Sequence, residues 1–305
     1  MVFQRLTQSM AILLMAVFFH ATASAITLEH ALGKVTLEQT PKRVVVIGAG
    51  PLDVLDVLGI EPVGVSQSST LPGYLSRYSK SQYTNVGSYF EPDYESIFNL
   101  KPDLIIIGPR SAANYDKLSQ IAPTFLYQLD AQLGYWKSTK QQWQKMAQLF
   151  DRQEQVAQKI EKTEQAIAEI HAYNQAHQLR ALTVMSSGGN VTTFGAHSRF
   201  SAIYQEFAFK EVVENIKEKN HGDLISFEFI RDKDPQVLFI LDRDKLINHG
   251  QSNTAENFDN PLVRTTKAYQ NQRVITLNLD AWYLSIAGMT ATQLMIDDMK
   301  QVIKK

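Results

Sequence analysis

Cysteine is absent from the chain. That excludes a disulfide framework, a thiol nucleophile and any cysteine-ligated zinc or iron–sulfur centre. It also excludes lipid attachment at an N-terminal cysteine. Histidine-rich tracts are missing too. The seven histidines are scattered, His197, His221 and His249 among them, which argues against a bare zinc or manganese site built from clustered imidazoles. Charge of one sign is not in excess: 30 basic and 31 acidic residues give a formal net of −1. No global basic field therefore points to nucleic acid. The longest uninterrupted apolar run, "MAILLMAVFF", covers residues 10–19 and is far short of the ~20 residues that span a bilayer. "VIGAGPLDVL" is not a full G-x-G-x-x-G, and no P-loop, G-x-S-x-G or H-E-x-x-H occurs, so the best-known phosphate, acyl-transfer and metalloprotease signatures are all lacking.

What is present begins with a three-part leader. Arg5 supplies the positive end, "AILLMAVFF" the apolar core, and Ala23 and Ala25 the small residues of a cleavage site. This layout predicts a secretory signal over residues 1–25, cleaved after Ala25. With no cysteine for an anchor, the expectation is a protein released into a bacterial periplasm. Apolar residues make up 44% and charged residues 20% of the chain, the balance of a globular protein rather than a disordered one.

Strand and helix then alternate. "RVVVIG" (43–48) is a β-branched run of the kind buried on both faces of a parallel sheet, and "KPDLIIIGPR" (101–110) is a strand that ends in a glycine, a proline and an arginine. "GPLDVLDVLGI" (50–60) reads as a helix opened near Pro51 and closed by Gly59. "EPDYESIFNL" and "NYDKLSQIAP" are further helices, and "PVGVS" and "TFLYQL" further strands. "RALTVMSS" (180–187), "SRFSAIYQEF", "PQVLFILDR" (235–243), "RVITLNLD" (273–280) and the amphipathic C-terminal stretch repeat the pattern. "FKEVVENIKEKN" (209–220) reads as a charged helix ending just before His221. Between the halves lies a long helical stretch without glycine or proline. Asp151 and Glu154 have capping-box spacing, and Val156, Ile160, Ile167 and Ile170 share one face. The fold class expected is α/β. Two Rossmann-like α/β lobes, residues 26–150 and 178–305, are joined by one long rigid α-helix at 151–177, with a ligand cleft between the lobes.

At this point the chain resembles a known family. The exported layout, "TPKRVVVIG", "YFEPDYESIFNLKPDLIII" and the interlobe helix are similar to the siderophore-binding proteins of bacterial ABC importers. "NHGDLISFE" and "LDAWYLSIAG" look most like the CeuE-type branch, which binds ferric catecholates. The resemblance implies no catalysis and no permanent cofactor. The transported ligand would be a ferric siderophore, and the partner an inner-membrane ABC permease with its ATPase. It also implies a monomer that neither spans the membrane nor binds nucleic acid. Residue by residue, it implies iron ligation by His221 and Tyr283, ligand binding by Arg110, Arg199 and Arg243, and permease docking by Glu95 and Glu228.

The chemistry agrees with that assignment. Ferric iron is hard and prefers oxygen donors, with imidazole acceptable. A two-armed catecholate fills four coordination positions and leaves two for a histidine and a phenolate. Arg110 and Arg243 follow the carboxyl ends of predicted strands, where open α/β sheets bind ligands. Arginine meets paired oxygens with a planar, permanently charged fork. Taken alone, His221 would be an ordinary loop histidine, Tyr283 a core tyrosine, each arginine a surface ion pair, and each glutamate a helix N-terminal charge. Haem or cobalamin on the same scaffold is a rival reading. So is a two-lobe enzyme such as a glycosyltransferase.

Overall fold

The computed structural model describes residues 25–303 except 131, 215, 217–221 and 249. The predicted signal (residues 1–24 of it), His221 and His249 therefore lie outside the described residues. A hairpin of β1 (Ile26–His30) and β2 (Gly33–Leu37) comes first. Its alternation, not picked out in the sequence, buries Leu28, Val35 and Leu37 in the first lobe.

The first sheet contains β3 (Val44–Ile47), β4 (Gly64–Val65), β5 (Thr84–Asn85), β6 (Leu104–Ile107) and β7 (Thr124–Leu126). They lie in the order β5-β4-β3-β6-β7, all parallel. Val44 pairs with Leu104 and Ile47 with Ile107. Alternate residues of these two strands enter opposite cores: Val44, Val46, Leu104 and Ile106 on one face, Val45, Ile47, Ile105 and Ile107 on the other. This is why both runs are apolar without interruption. The helices α1 (Ala49–Leu58), α2 (Tyr94–Asn99) and α3 (Tyr115–Ser119) connect the strands. The chain goes one way from β3 and the other way from β6, so the carboxyl ends of these strands flank a topological switch point.

Two helices follow, α4 (Tyr135–Phe150) and α5 (Gln153–His177). The sequence reading missed α4, and this overturns the expected cap. Asp151 adopts a left-handed conformation (φ 54) that closes α4, while Arg152 precedes α5 with no side-chain cap. One carboxylate cannot end the first helix in that geometry and also start the second. The 25 residues of α5 span about 37 Å at ~1.5 Å each. Val156 and Ile160 pack into the first lobe and Ile170 into the second. Gln155 Nε2 donates to the Val57 carbonyl at 3.0 Å, and Asn174 Nδ2 to that of Phe207 at 2.7 Å, fixing the helix to both lobes.

The second sheet holds β8 (Arg180–Ser187), β9 (Asn190–Phe194), β10 (Lys210–Glu211), β11 (Asp223–Ile225), β12 (Val237–Asp242) and β13 (Val274–Thr276). The order is β11-β9-β8-β12-β13, with β10 parallel to the start of β8. The β9 strand runs antiparallel to β8 through a Gly188-Gly189 turn, both glycines at positive φ. The second lobe is thus a mixed sheet rather than a strict repeat of the first. The helix expected over 209–220 is not formed at its start. Lys210 and Glu211 are strand, with Phe209 and Val212 buried to either side, so packing on β8 overrides the local charge pattern. Residues 217–220 of that stretch are outside the described set. The helices α6 (Ser201–Gln205), α7 (Phe227–Lys233), four short ones, α8 (Asp244–Ile247), α9 (Thr254–Phe258), α10 (Pro261–Arg264) and α11 (Lys267–Gln270), and the C-terminal α12 (Met289–Ile303) complete the lobe.

The lobes are clamped at the N-terminus of α12. Asp53, on α1 and fully buried, accepts from the Thr290 and Ala291 N–H groups at 2.8 and 2.9 Å. The first lobe's carboxylate therefore caps the second lobe's helix, where an anion also meets the positive end of the helix dipole. Tyr74 donates to the same carboxylate at 2.8 Å and is hydrogen-bonded to Ser285. The Ala287 carbonyl accepts from Tyr127 and Trp143, both at 2.7 Å. Two glycines permit the approach. A Cβ on Gly288 would lie 2.1 Å from Asp53 Oδ2, and one on Gly50 2.6 Å from the Ile286 carbonyl oxygen. Burial pushes the Asp53 carboxyl above its usual range, and its hydrogen bonds pull it back.

Asp53→Ala takes the acceptor from the Thr290 and Ala291 N–H groups at the start of α12 and is expected to lower unfolding stability by about 3 kcal/mol, read by urea denaturation. Gly288→Ala, which leaves every donor in place but pushes the two lobes apart, is expected to destabilise comparably.

Candidate ligand-binding site

The segment between β13 and α12 carries Tyr283 on a single turn of π-helix, Asp280–Leu284. Such turns are rare and arise where a helix must accommodate an extra residue, often at functional sites. Asp280 accepts from the Gly73 N–H at 2.7 Å. On the other side, Asp298 accepts from the Asn278 N–H at 2.7 Å and from Trp282 Nε1 at 2.9 Å. The residues just before Tyr283 are thus held from both lobes.

Three guanidinium groups converge on the Tyr283 ring. Their carbons lie 4.2 Å (Arg199), 5.6 Å (Arg243) and 5.8 Å (Arg110) from its centroid. Arg110 comes from the turn of 3-10 helix that follows β6, Arg243 directly follows β12, and Arg199 lies in the turn before α6. Two lobes and three chain segments therefore bring their cations to one aromatic ring. Among the described residues none of the three forms an ion pair with a carboxylate. The Nε atoms of Arg199 and Arg243 are buried without a hydrogen-bond partner. Arg243 donates to Ser187 Oγ at 2.9 Å through Nη1. Burial, joined by the charges of Arg110 and Arg243, pulls Arg199 below its usual value, while Tyr283 acts in the opposite direction. Like charges repel, by about 4 kcal/mol at 4 Å and an effective dielectric near 20 and by less as they separate. Such a cluster is in electrostatic deficit and is relieved by an anion.

A cavity of about 300 Å³ opens beside this cluster. Arg110, Arg199 and Tyr283 line it, with Gly48 after β3, Gly108 after β6, and Tyr127. It stands at the switch point of the first sheet, as expected of an open α/β unit. A second cavity, about 310 Å³, shares Leu129, Arg199 and Ile286 with it and adds Gln205 and Ser201. Leu129, Arg199 and Ile286 therefore border both cavities. Among the described residues no three His, Asp or Glu side chains are grouped to hold a metal ion.

The structure thus brings together four of the site residues singled out in the sequence: Arg110, Arg199, Arg243 and Tyr283. His221 lies outside the described residues. Glu95 and Glu228 are exposed and stand apart from the cavity, yet they are equivalent. Each is the second residue of a short helix behind a side-chain cap, Asp93 for α2 and Ser226 for α7. Sequence reasoning missed Asp53, Tyr89 and Tyr127. The buried aspartate within "PLDVLDVLG" looked like an ordinary helical position, and only its partners 237 and 238 residues away reveal its role.

Comparison with known proteins shows what the chain as a whole is similar to. A family model described as periplasmic binding protein matches residues 44–281. The petrobactin-binding protein YclQ of Bacillus subtilis is 33% identical over 283 residues, covering 92% of this chain and 89% of YclQ. The ferric-anguibactin-binding protein FatB of Vibrio anguillarum is 31% identical over 278 residues, covering 90% and 86%. The crystal structure of the periplasmic catecholate-siderophore binding protein VctP from Vibrio cholerae superposes with a TM-score of 0.87 at 50% identity, covering 91% of this chain and 99% of VctP.

Burial raises the Asp298 carboxyl to about 6, against roughly 3.9 when unfolded. Between about pH 4 and 6 the folded state holds a proton that the unfolded state has released, so this group's contribution falls as pH rises through that window. Asp298→Asn is expected to flatten the pH dependence of thermal stability there relative to wild type, read by melting temperature at intervals of half a pH unit.

Proposed function

This chain belongs to the periplasmic binding protein family, and we propose that within it the protein captures ferric siderophores, catecholates in preference, and delivers them to an inner-membrane ABC permease. The observation that carries this reading is the convergence of Arg110, Arg199 and Arg243 on the Tyr283 ring at the interlobe cavity. A ferric catecholate is a compact polyanion, and this is a compact polycation with no carboxylate of its own among the described residues. In this reading residues 26–150 and 178–305 form the two lobes, 151–177 the connector, and residues 1–25 a signal removed on export to the periplasm.

A two-armed catecholate brings four oxygens to iron. Tyr283 and His221 supply the remaining two donors. Iron lowers the phenol's proton affinity as metals do for their ligands, and the surrounding arginines stabilise the phenolate so formed. The arginines also balance the charge of the chelate. The second cavity has room for the linker between the two arms. The reading needs no covalent chemistry, since capture, transport and release of an intact complex suffice.

Intrinsic fluorescence quenching tests the ligand class directly. Tight quenching is expected with the iron(III) complex of a diamine bearing two 2,3-dihydroxybenzoyl groups, and weak or no quenching with haem or cobalamin. Tyr283→Phe and His221→Ala are each expected to shift the visible charge-transfer band and to weaken binding by about tenfold or more, as for loss of a charged contact. Unchanged spectra and affinities in both would remove direct ligation from the reading.

Glu95 and Glu228 are proposed as the permease contacts, one on each lobe. Reversing both charges to lysine is expected to abolish siderophore-dependent iron uptake in cells while leaving in vitro affinity within about twofold. Loss of ligand binding in the purified double variant would refute the docking role.

A further inference from the structure

One side chain of the cavity has no part in the scheme above. Tyr89 lies in the loop between β5 and α2 and lines the same cavity as Arg110. Its backbone is pinned on both sides: its N–H donates to Ser69 Oγ at 2.9 Å, and its carbonyl accepts from the buried Ser111 hydroxyl at 2.6 Å. Its ring is 4% exposed and belongs to the cluster that holds Ile47, Ala49 and Ile107. Its hydroxyl oxygen is buried and makes no hydrogen bond to any described residue. Buried phenols normally find a partner. Elsewhere in the chain they do: Tyr127 has the Ala287 carbonyl, Tyr204 has Thr183, and Tyr135 has Met295. An unpaired buried hydroxyl is a standing penalty to the fold, and this one belongs to a residue that lines the cavity beside the arginine cluster.

We infer that Tyr89 is a further ligand-contacting residue that sets specificity, its hydroxyl donating a hydrogen bond to the anionic oxygen of the ligand that pairs with Arg110. The inference rests on the reading of the site as a ferric catecholate site and adds a neutral donor to its cations. Burial pushes the Tyr89 phenol up to about 12, with Arg110 acting the other way, so it stays protonated near neutral pH. It is therefore a donor and not an iron ligand, the opposite part to Tyr283. A site with a buried donor of this kind discriminates against ligands that present no acceptor to it, because the donor is then left unpaired.

The test removes the hydroxyl alone. Wild type, Tyr89→Phe and Ser111→Ala are titrated by fluorescence quenching with the same iron(III) bis(2,3-dihydroxybenzoyl)diamine complex, and the ligand-free proteins are melted. Tyr89→Phe is expected to bind about 10- to 100-fold more weakly, the range for a hydrogen bond to a charged acceptor. Its ligand-free melting temperature is expected to stay the same or rise. A smaller loss of affinity overturns the inference. So does a lower melting temperature in Tyr89→Phe, because the hydroxyl would then have a partner before ligand arrives. Equal loss in Ser111→Ala, which keeps the phenol but frees its loop, overturns it too by assigning the effect to loop rigidity. Wild type that fails to bind the complex overturns the catecholate reading itself and this inference with it, whereas binding by wild type and Tyr89→Phe alike rejects this inference alone.

Discussion

The Asp53 carboxylate, fully buried on α1, is the point on which the arrangement of the two lobes turns. It caps a helix that belongs to the other lobe, and it takes a third hydrogen bond from Tyr74. Burying a carboxylate is unfavourable unless its oxygens are satisfied. Here three donors satisfy them, and two of the donors are backbone groups that a helix start leaves free in any case. Gly288 lets the backbone before α12 close on the Asp53 side chain until no Cβ would fit beside the carboxylate. The same contact fixes the start of α12, and with it the end of the segment that carries Tyr283. The architecture of the fold and the geometry of the site share this one interaction.

Against that rigid frame stands a site that is locally unfavourable. Three arginines surround one aromatic ring with no ion-paired carboxylate, and two of them carry buried N–H groups with no hydrogen-bond partner, among the described residues. Isolated, such a cluster would fly apart or recruit counter-charges. It is held because each guanidinium is delivered by a different, well-packed segment: the end of β6, the end of β12 and the turn before α6. In the proposed reading the resulting deficit is an attraction for a polyanion that is in place before the ligand arrives.

Much of this was legible in the sequence where local pattern and tertiary role coincide. The runs Val44–Ile47 and Leu104–Ile107 are buried on both faces, so their composition reports the parallel sheet directly. Arg110 and Arg243 follow strand ends that readable runs located. The long connector was visible because it lacks every helix breaker. Other features had no local mark. The α4 helix is polar along most of its length and went unnoticed, so Asp151 was assigned to the wrong helix end. Lys210 and Glu211 carry a helical charge pattern but pair with β8, where burial of Phe209 and Val212 outweighs propensity. The π-turn at Asp280–Leu284 and the capping by Asp53 depend on residues more than 200 positions away. No window along the chain contains both halves of such a contact.

The connector and the clamp together have a mechanical consequence. A helix of about 37 Å buried at both ends, and a second tie across the gap at Asp53, leave the lobes little freedom to swing. Glu95 and Glu228 sit at matching positions on opposite lobes, so the span between them behaves as a caliper of nearly constant opening. Any partner that grips both tips at once meets almost the same jaws whether cargo is present or not. Empty molecules then compete with full ones for that berth, and cargo must announce itself through the small movements of side chains and loops at the groove.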